Sequence, residues 1–313
     1  MFQKNSGIFD EKDAIFITKL GKYSLKDTME CGQCFRYEKI ERVDGYDEYM
    51  TITGGELIRV VQRTEDELIF PGMSDDVFES VARHYFSLDT NLDAVKRDIV
   101  ERTDSQWLKD AAEFASGIAI LSQDPFETLI SFIISQNNNI PRIRKIVREI
   151  CAQYGTNLTL KNDNNSCPLQ HINTKPNYDD CKLCGRCYTF PNAESILENP
   201  DLLLPSKPGF RYGYIIDAAE KIHSGNVNLE QIKKEMRYEY TMESLKAIKG
   251  VGDKVASCVA LFGIGNLEAF PIDVWMKRAI DTYFDGKLDP TTLGPYAGIA
   301  QQYIFHYIRN LDK

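Results

Sequence analysis

The chain has 313 residues, 43% of them hydrophobic, enough for one large folded domain or two ordinary ones. Its net charge of −9 argues against a surface that holds nucleic acid by lysine and arginine alone. No run approaches about 18 consecutive apolar residues, and the start, MFQKNSGIFDEKDAIF, lacks the order of a secretion signal. The chain therefore reads as soluble, monomeric and intracellular, in the cytoplasm or nucleoid, or in the nucleus if eukaryotic, with no contact to membrane. Eight cysteines in such a chain point to metal ligands, reactive thiols or buried thiols rather than a disulfide framework.

Residues from about 14 to 71 read as an antiparallel sheet, with β-branched and aromatic runs (FRYEKI, EYMTITGGELIRVVQ, ELIFPG) broken by DG, GG and PG turns. From about Asp75 the period becomes helical, through DDVFESVARHYF, LDAVKRDIV, DPFETLISFIISQ, NIPRIRKIVREICAQYG, RYGYIIDAAEKIHSG, TMESLKAI, KVASCVALFGIG, DVWMKRAIDTYF and GPYAGIAQQYIFHYIR. Asp124 before Pro125 is a helix start, a capping aspartate with proline at the first helical position, and Asp273 is a plausible cap before VWMKRAI. Residues 156–192, polar, Asn-rich and carrying four cysteines, interrupt the helical series as an insertion. The fold class is α+β: a sheet domain over 1–115, then an all-α domain over 116–313. Two stretches run against the overall charge, PRIRKIVR with four cations and GFRYGYIIDAAEKI, which interleaves aromatics with Arg211 and Lys221. Taken alone, each is a solvated helix face.

In IKGVGDKVASC the spacing G-V-G-D-K-V is not that of a Walker A loop, and no hydroxyl follows the lysine to reach magnesium. A helix rather than a strand precedes it, which excludes a dinucleotide-binding turn. What remains is helix, tight glycine turn, helix, with Gly250 and Gly252 allowing close approach and the amides of the second helix pointing outward as an anion site. Such a hairpin holds a DNA phosphate without a lysine cluster.

These residues resemble the helix-hairpin-helix DNA glycosylases, and within them the 8-oxoguanine DNA glycosylase/lyases. GVGDKVASC followed by FPIDV carries the resemblance, together with CGQCFRY, ISQNNNIPRI and GPYAGIAQQYIF, in family order from about residue 15 to 310. The resemblance implies Lys254 as the nucleophile toward C1′ of a deoxyribose, forming a Schiff base from which β-elimination nicks the strand. It makes Asp273 the group that stabilises charge on the sugar. Attack needs the free amine, which burial and the positive end of a helix dipole both favour. Cys258, Gln301 and Phe305 are implied as the walls of a pocket for a flipped base, completed by the last helix, with the Gly32 carbonyl accepting the N7 hydrogen that only the lesion carries. Asn137 is implied to fill the vacated stack, Arg142 and Arg211 to contact the cytosine left behind, and Phe210 to wedge into the duplex. The partner is then double-stranded DNA with 8-oxoguanine opposite cytosine, and catalysis needs no cofactor. CGQC also looks like a thioredoxin motif, but it leads into a strand rather than opening a helix.

Three features depart from the family. Cys167, Cys181, Cys184 and Cys187 have the spacing of metal ligands, fitted by structural zinc or by an iron–sulfur cluster, with His171 as a substitute. Lys249 stands where many relatives have proline, and Trp275 where a histidine is expected. Two rival readings remain: a glycosylase for another damaged base, and a non-catalytic hairpin module that only clamps phosphate.

Overall fold

A computed structural model of the protein describes residues 14–18, 21–42, 44–158 and 186–311. Its strands are β1 (Ala14–Ile17), β2 (Tyr37–Ile40), β3 (Asp47–Thr53), β4 (Glu56–Thr64) and β5 (Glu67–Pro71). They form one antiparallel sheet in the order β1-β5-β4-β3-β2. Gly54 and Gly55 take φ of +57° and +75°, the consecutive left-handed positions that a two-residue hairpin turn needs. This turn sets the register of β3 on β4 from Thr53↔Glu56 to Asp47↔Gln62.

Alternate residues of the sheet, Ile58 and Val60 of β4 and Leu68 and Phe70 of β5, share one core with the next helix, α2. That helix runs through Asp75–Val77, a π-helical stretch Phe78–Ala82, and Arg83–Tyr85. Phe70 meets Phe78 edge-on at 5.3 Å and Phe86 at 5.6 Å.

The span expected to be extended also holds a helix, α1 (Leu25–Glu30). Ser24 caps it, and Leu25, Thr28 and Met29 bury one helical face, a three-and-four spacing hidden among β-forming neighbours. The later helices are α3 (Leu92–Glu101), α4 (Gln106–Phe114), α5 (Pro125–Ser135), α6 (Ile140–Tyr154), α7 (Ala193–Glu198), α8 (Tyr212–His223), α9 (Leu229–Glu235), α10 (Tyr238–Lys246), α11 (Asp253–Val259), α12 (Val274–Tyr283) and α13 (Ala297–Leu311). The periodicities read from the sequence do not mark α4, α7 and α9, which are short and open on the capping side chains Ser105, Asn192 and Asn228.

Helix α5 opens as its Asp-Pro pair predicts, Asp124 Oδ1 accepting from the Glu127 N–H at 2.8 Å. Nine of its 11 residues are buried, so it is the central helix of the body rather than an amphipathic surface one. α11 continues through a π-helical stretch, Ala260–Ile264, that crosses the start of α5. A Cβ on Gly263 would lie 3.1 Å from the Pro125 Cα. Among the described residues no helix is long and apolar enough to cross a membrane.

The ends of the cysteine-rich insertion meet. Asn157 and Tyr188 form an antiparallel bridge, and the Leu158 N–H donates to the Cys187 carbonyl at 2.8 Å. Gly155 makes this closure possible, because a Cβ there would sit 2.0 Å from the Thr189 oxygen.

Sheet, helical body and insertion stem converge on Arg36. Its guanidinium donates to Glu127 Oε1 at 2.7 Å, to the Ile52 carbonyl at 3.0 Å, to the Tyr188 carbonyl at 2.7 Å and to Cys151 Sγ at 3.5 Å. Burial pushes the Glu127 carboxyl above its usual range against the pull of Arg36. Removing one partner strands the other charge in a dry site. Arg36→Met is therefore expected to lower unfolding free energy by about 3–5 kcal/mol in urea titration, whereas Arg83→Met, which removes an exposed pair with Asp89, is expected to leave the urea midpoint unchanged.

Candidate active site and DNA interface

The hairpin between α10 and α11 turns at Gly250, whose φ is +79°. The Tyr214 ring of α8 packs directly on this glycine, so that a Cβ there would lie 2.3 Å from Tyr214 Cδ2. Gly252 takes the N-cap position of α11. Asp217 of α8 fixes the approach to the turn: its Oδ2 accepts from the Lys249 N–H at 2.7 Å and from Lys221 Nζ at 2.8 Å, and Lys221 also reaches the Ala247 carbonyl at 2.7 Å. Burial opposes ionisation of Asp217, but these donors outweigh it and hold its carboxyl below the usual range. A proline at 249 has no N–H to offer, so lysine adds a bond at this point.

Lys254 is the second residue of α11 and is half-buried. Its Nζ lies 4.9 Å over the Phe132 ring and donates to Ser135 Oγ at 3.5 Å, both on α5. Ser135 commits its own proton to the Phe132 carbonyl at 2.8 Å. Sequence reasoning missed Phe132 and Ser135, although their spacing of three puts them on one face of α5. Asp273 caps α12, its Oδ1 accepting from the Met276 N–H at 2.9 Å. Lys254 opens onto a cleft of about 790 Å³ walled by Tyr238, Glu239, Phe270, Ile272 and Pro295. Trp275, after Asp273, carries the Arg278 guanidinium 5.7 Å over its ring.

Cys258, one turn after Lys254, is buried. Burial pushes its thiol up to about 11, while Lys254 pulls the other way and Asp273 adds to the rise. Gln301 is buried on α13, its Oε1 accepting from Gln302 Nε2 at 2.7 Å. Phe305, four residues on, lies beside Gly32: a Cβ on Gly32 would be 3.7 Å from the Phe305 ring and 3.8 Å from Arg309 Nη1. Gly32 itself has φ of +93°.

Gln33 locks the loop that presents Gly32. Fully buried, it donates to the carbonyls of Thr28 at 2.8 Å and Ala119 at 2.9 Å, and accepts from the Leu121 N–H at 2.8 Å. The flanking Cys31 and Cys34 are buried free thiols, Cys31 pushed up to about 12 by burial and Cys34 well above its usual value. Protonated and enclosed, they lack the exposed thiolate of a redox pair.

The Asn run turns the chain between α5 and α6. Asn137 is exposed at φ +47°, Asn138 donates to the Ile134 carbonyl, and Asn139 caps α6 by accepting from the Arg142 N–H at 3.0 Å. Arg142 is exposed beside it. Arg211 is instead 4% exposed and spends its fork on backbone, donating to the carbonyls of Gln136, Asn137 at 3.1 Å and Pro208 at 3.2 Å. In this structure Arg211 braces the Asn turn from behind. Phe210 is 57% exposed, its ring edge-on to Tyr214 at 5.9 Å and 4.4 Å from the Arg211 guanidinium.

Of the proposed metal ligands, Cys167, Cys181 and Cys184 lie outside the described residues, as does His171. Cys187 is buried at the stem of the insertion.

A family model for the N-terminal domain of 8-oxoguanine DNA glycosylase matches residues 15–129. The N-glycosylase/DNA lyase of Saccharomyces cerevisiae is 31% identical over 278 residues, which cover 81% of this chain and 66% of the yeast protein. The 8-oxoguanine glycosylase/lyase of Clostridium acetobutylicum, solved with double-stranded DNA containing cytosine opposite 8-oxoG, superposes with a TM-score of 0.79 at 30% identity, over 97% of this chain and 99% of that one. MBOgg1, solved with a low-affinity DNA ligand, superposes with a TM-score of 0.80 at 31% identity, over 96% and 97% of the two chains. With the sheet, the glycine hairpin and the lysine site in one arrangement, the chain belongs to the 8-oxoguanine DNA glycosylase/lyase family of the helix-hairpin-helix superfamily.

Proposed function

We propose that this protein is a bifunctional DNA glycosylase/lyase that removes 8-oxoguanine opposite cytosine from double-stranded DNA, inside the cell and as a monomer. The observation that carries this reading is the setting of Lys254 at the mouth of the hairpin. Its amine lies over Phe132 and against Ser135, one helical turn from Cys258, with the Asp273 cap in the same region.

Base and sugar carbon are inaccessible in a stacked duplex, so the nucleotide must be extruded. The hairpin amides at Gly250 and Gly252 hold a phosphate, Phe210 enters the stack, and Asn137 and Arg142 stand on the same exposed edge to meet the orphaned cytosine. Arg211 acts by holding the Asn137 turn, and reaches the base only if its backbone bonds exchange. The flipped base enters between Cys258 and Phe305, with Gln301 at its edge. The Gly32 carbonyl accepts the N7 hydrogen of the lesion and faces a lone pair in guanine, a mismatch worth about 1–3 kcal/mol.

The Lys254 amine bonds to C1′ as the C1′–N9 bond breaks, and the base leaves with the electron pair and takes up a proton. Loss of a proton from nitrogen and opening of the sugar give a Schiff base. Removal of a C2′ proton then expels the 3′ phosphate. Asp273 offers negative charge where positive charge develops on the sugar.

We further propose that Cys167, Cys181, Cys184 and Cys187 hold a structural zinc ion. The joined ends of the insertion and the buried Cys187 at its stem support this reading. Metal analysis of purified protein is expected to find zinc without absorption near 400 nm, which an iron–sulfur cluster would show.

Borohydride added to protein with an 8-oxoguanine:cytosine duplex is expected to trap a covalent adduct, absent on undamaged DNA and absent with Lys254→Gln. Gly250→Ala, which drives a Cβ into Tyr214, is expected to weaken binding to damaged and undamaged duplex alike. Lesion-independent binding by the wild type without an adduct would leave only the phosphate-clamp module. Asparagine caps helices as well as aspartate, so Asp273→Asn is expected to slow excision by about 10²-fold or more with the thermal midpoint unchanged.

A further inference from the structure

Two walls of the base pocket come from distant parts of the chain, Gly32 after α1 and Phe305 on α13, and one contact ties them together. His306, the residue after Phe305, places its Nε2 3.4 Å from Asp27 Oδ1 of α1. The other Asp27 oxygen accepts from the Ser24 hydroxyl at 2.8 Å, and Ser24 Oγ accepts from the Asp27 N–H at 3.2 Å. The carboxylate is thus held on both oxygens. The Asp27 carbonyl accepts from the Cys31 N–H at 3.0 Å and closes the turn that leads into Gly32. On its far side the His306 ring lies against Phe114 of α4 at 5.6 Å, and its carbonyl accepts from Asn310 at 2.8 Å. A continuous path therefore runs from Gly32 through Cys31, Asp27 and His306 to Phe305.

We propose that His306 and Asp27 are positioning residues for the flipped base: their contact sets the gap between the Gly32 carbonyl and the Phe305 ring, and with it the efficiency of 8-oxoguanine excision. Neither residue touches the base or the sugar. An Nε2–H donor serves in both the neutral ε tautomer and the protonated ring, so the contact forms in either charge state. The gap matters because the gain from aligned groups falls steeply with small displacements. The inference rests on the substrate reading above.

An abasic site separates a pocket role from a structural one, because it presents C1′ to Lys254 with no base to hold. Single-turnover excision of 8-oxoguanine and cleavage of a preformed abasic site are measured with wild type, His306→Ala, Asp27→Ala and the double variant. The expected result is a loss of about tenfold to 10²-fold in excision for each single variant, no further loss in the double, and abasic-site cleavage within about twofold of wild type. Equal losses on both substrates, full excision by the variants, or additive losses in the double variant overturn the proposal. His306→Phe keeps a ring against Phe114 but removes the donor, and serves if His306→Ala does not fold. A wild-type protein that cleaves abasic sites but leaves 8-oxoguanine in place overturns the substrate reading itself, a result distinct from failure of the contact alone.

Discussion

The Arg36 guanidinium joins three parts of the chain that have little else in common. It binds a strand carbonyl of the sheet, a carboxylate and a thiol of the helical body, and a carbonyl at the insertion stem. A buried arginine costs several kcal/mol in lost hydration unless its donors are met; here the partners range from Ile52 to Tyr188, so the cost is offset only when all are in place. The same short stretch, Gly32 to Arg36, also carries the Gln33 lock and the Gly32 turn. Assembly of the two cores and, under the proposed function, placement of one pocket wall thus depend on the same few residues.

The site relies on backbone more than on charged side chains, which reconciles it with a net charge of −9. Glycine turns and helix starts offer amides, and Lys254, the nucleophile under the proposed function, is half-buried rather than part of a cationic face. Asp273 caps its helix by a bond that, under the proposed function, also aims its carboxylate. A capping role and a chemical role are compatible because the cap uses one carboxylate oxygen, leaving the other for the site.

Much of this was legible in the sequence where a local rule acts alone. Gly54-Gly55, Asp124-Pro125, the Gly250 turn and the Asp273 cap each follow from a backbone requirement of one or two residues. Helix α1 was hidden because six residues are too few to show a helical period, and its cap, Ser24 with Asp27, spans only four residues. The bracing role of Arg211 was not legible, since whether a guanidinium faces solvent or a neighbouring carbonyl depends on where a turn 75 residues away arrives. The Lys249 bond to Asp217 is of the same kind: the sequence shows a missing proline, and only the fold shows what its N–H meets. Phe132 sat within an apolar run that reads as core, and Ser135 at its end reads as an ordinary helix terminus.

Tyr214 packs on Gly250 and meets Phe210 edge-on, so one ring joins the hairpin turn to the exposed aromatic. Under the proposed function the distance between clamp and wedge is a ruler of fixed length, and the duplex is the compliant body. The energy of kinking is then drawn from base stacking, so sequences flanking the lesion that unstack cheaply are opened more often than stiff ones, although none of these residues reads a base.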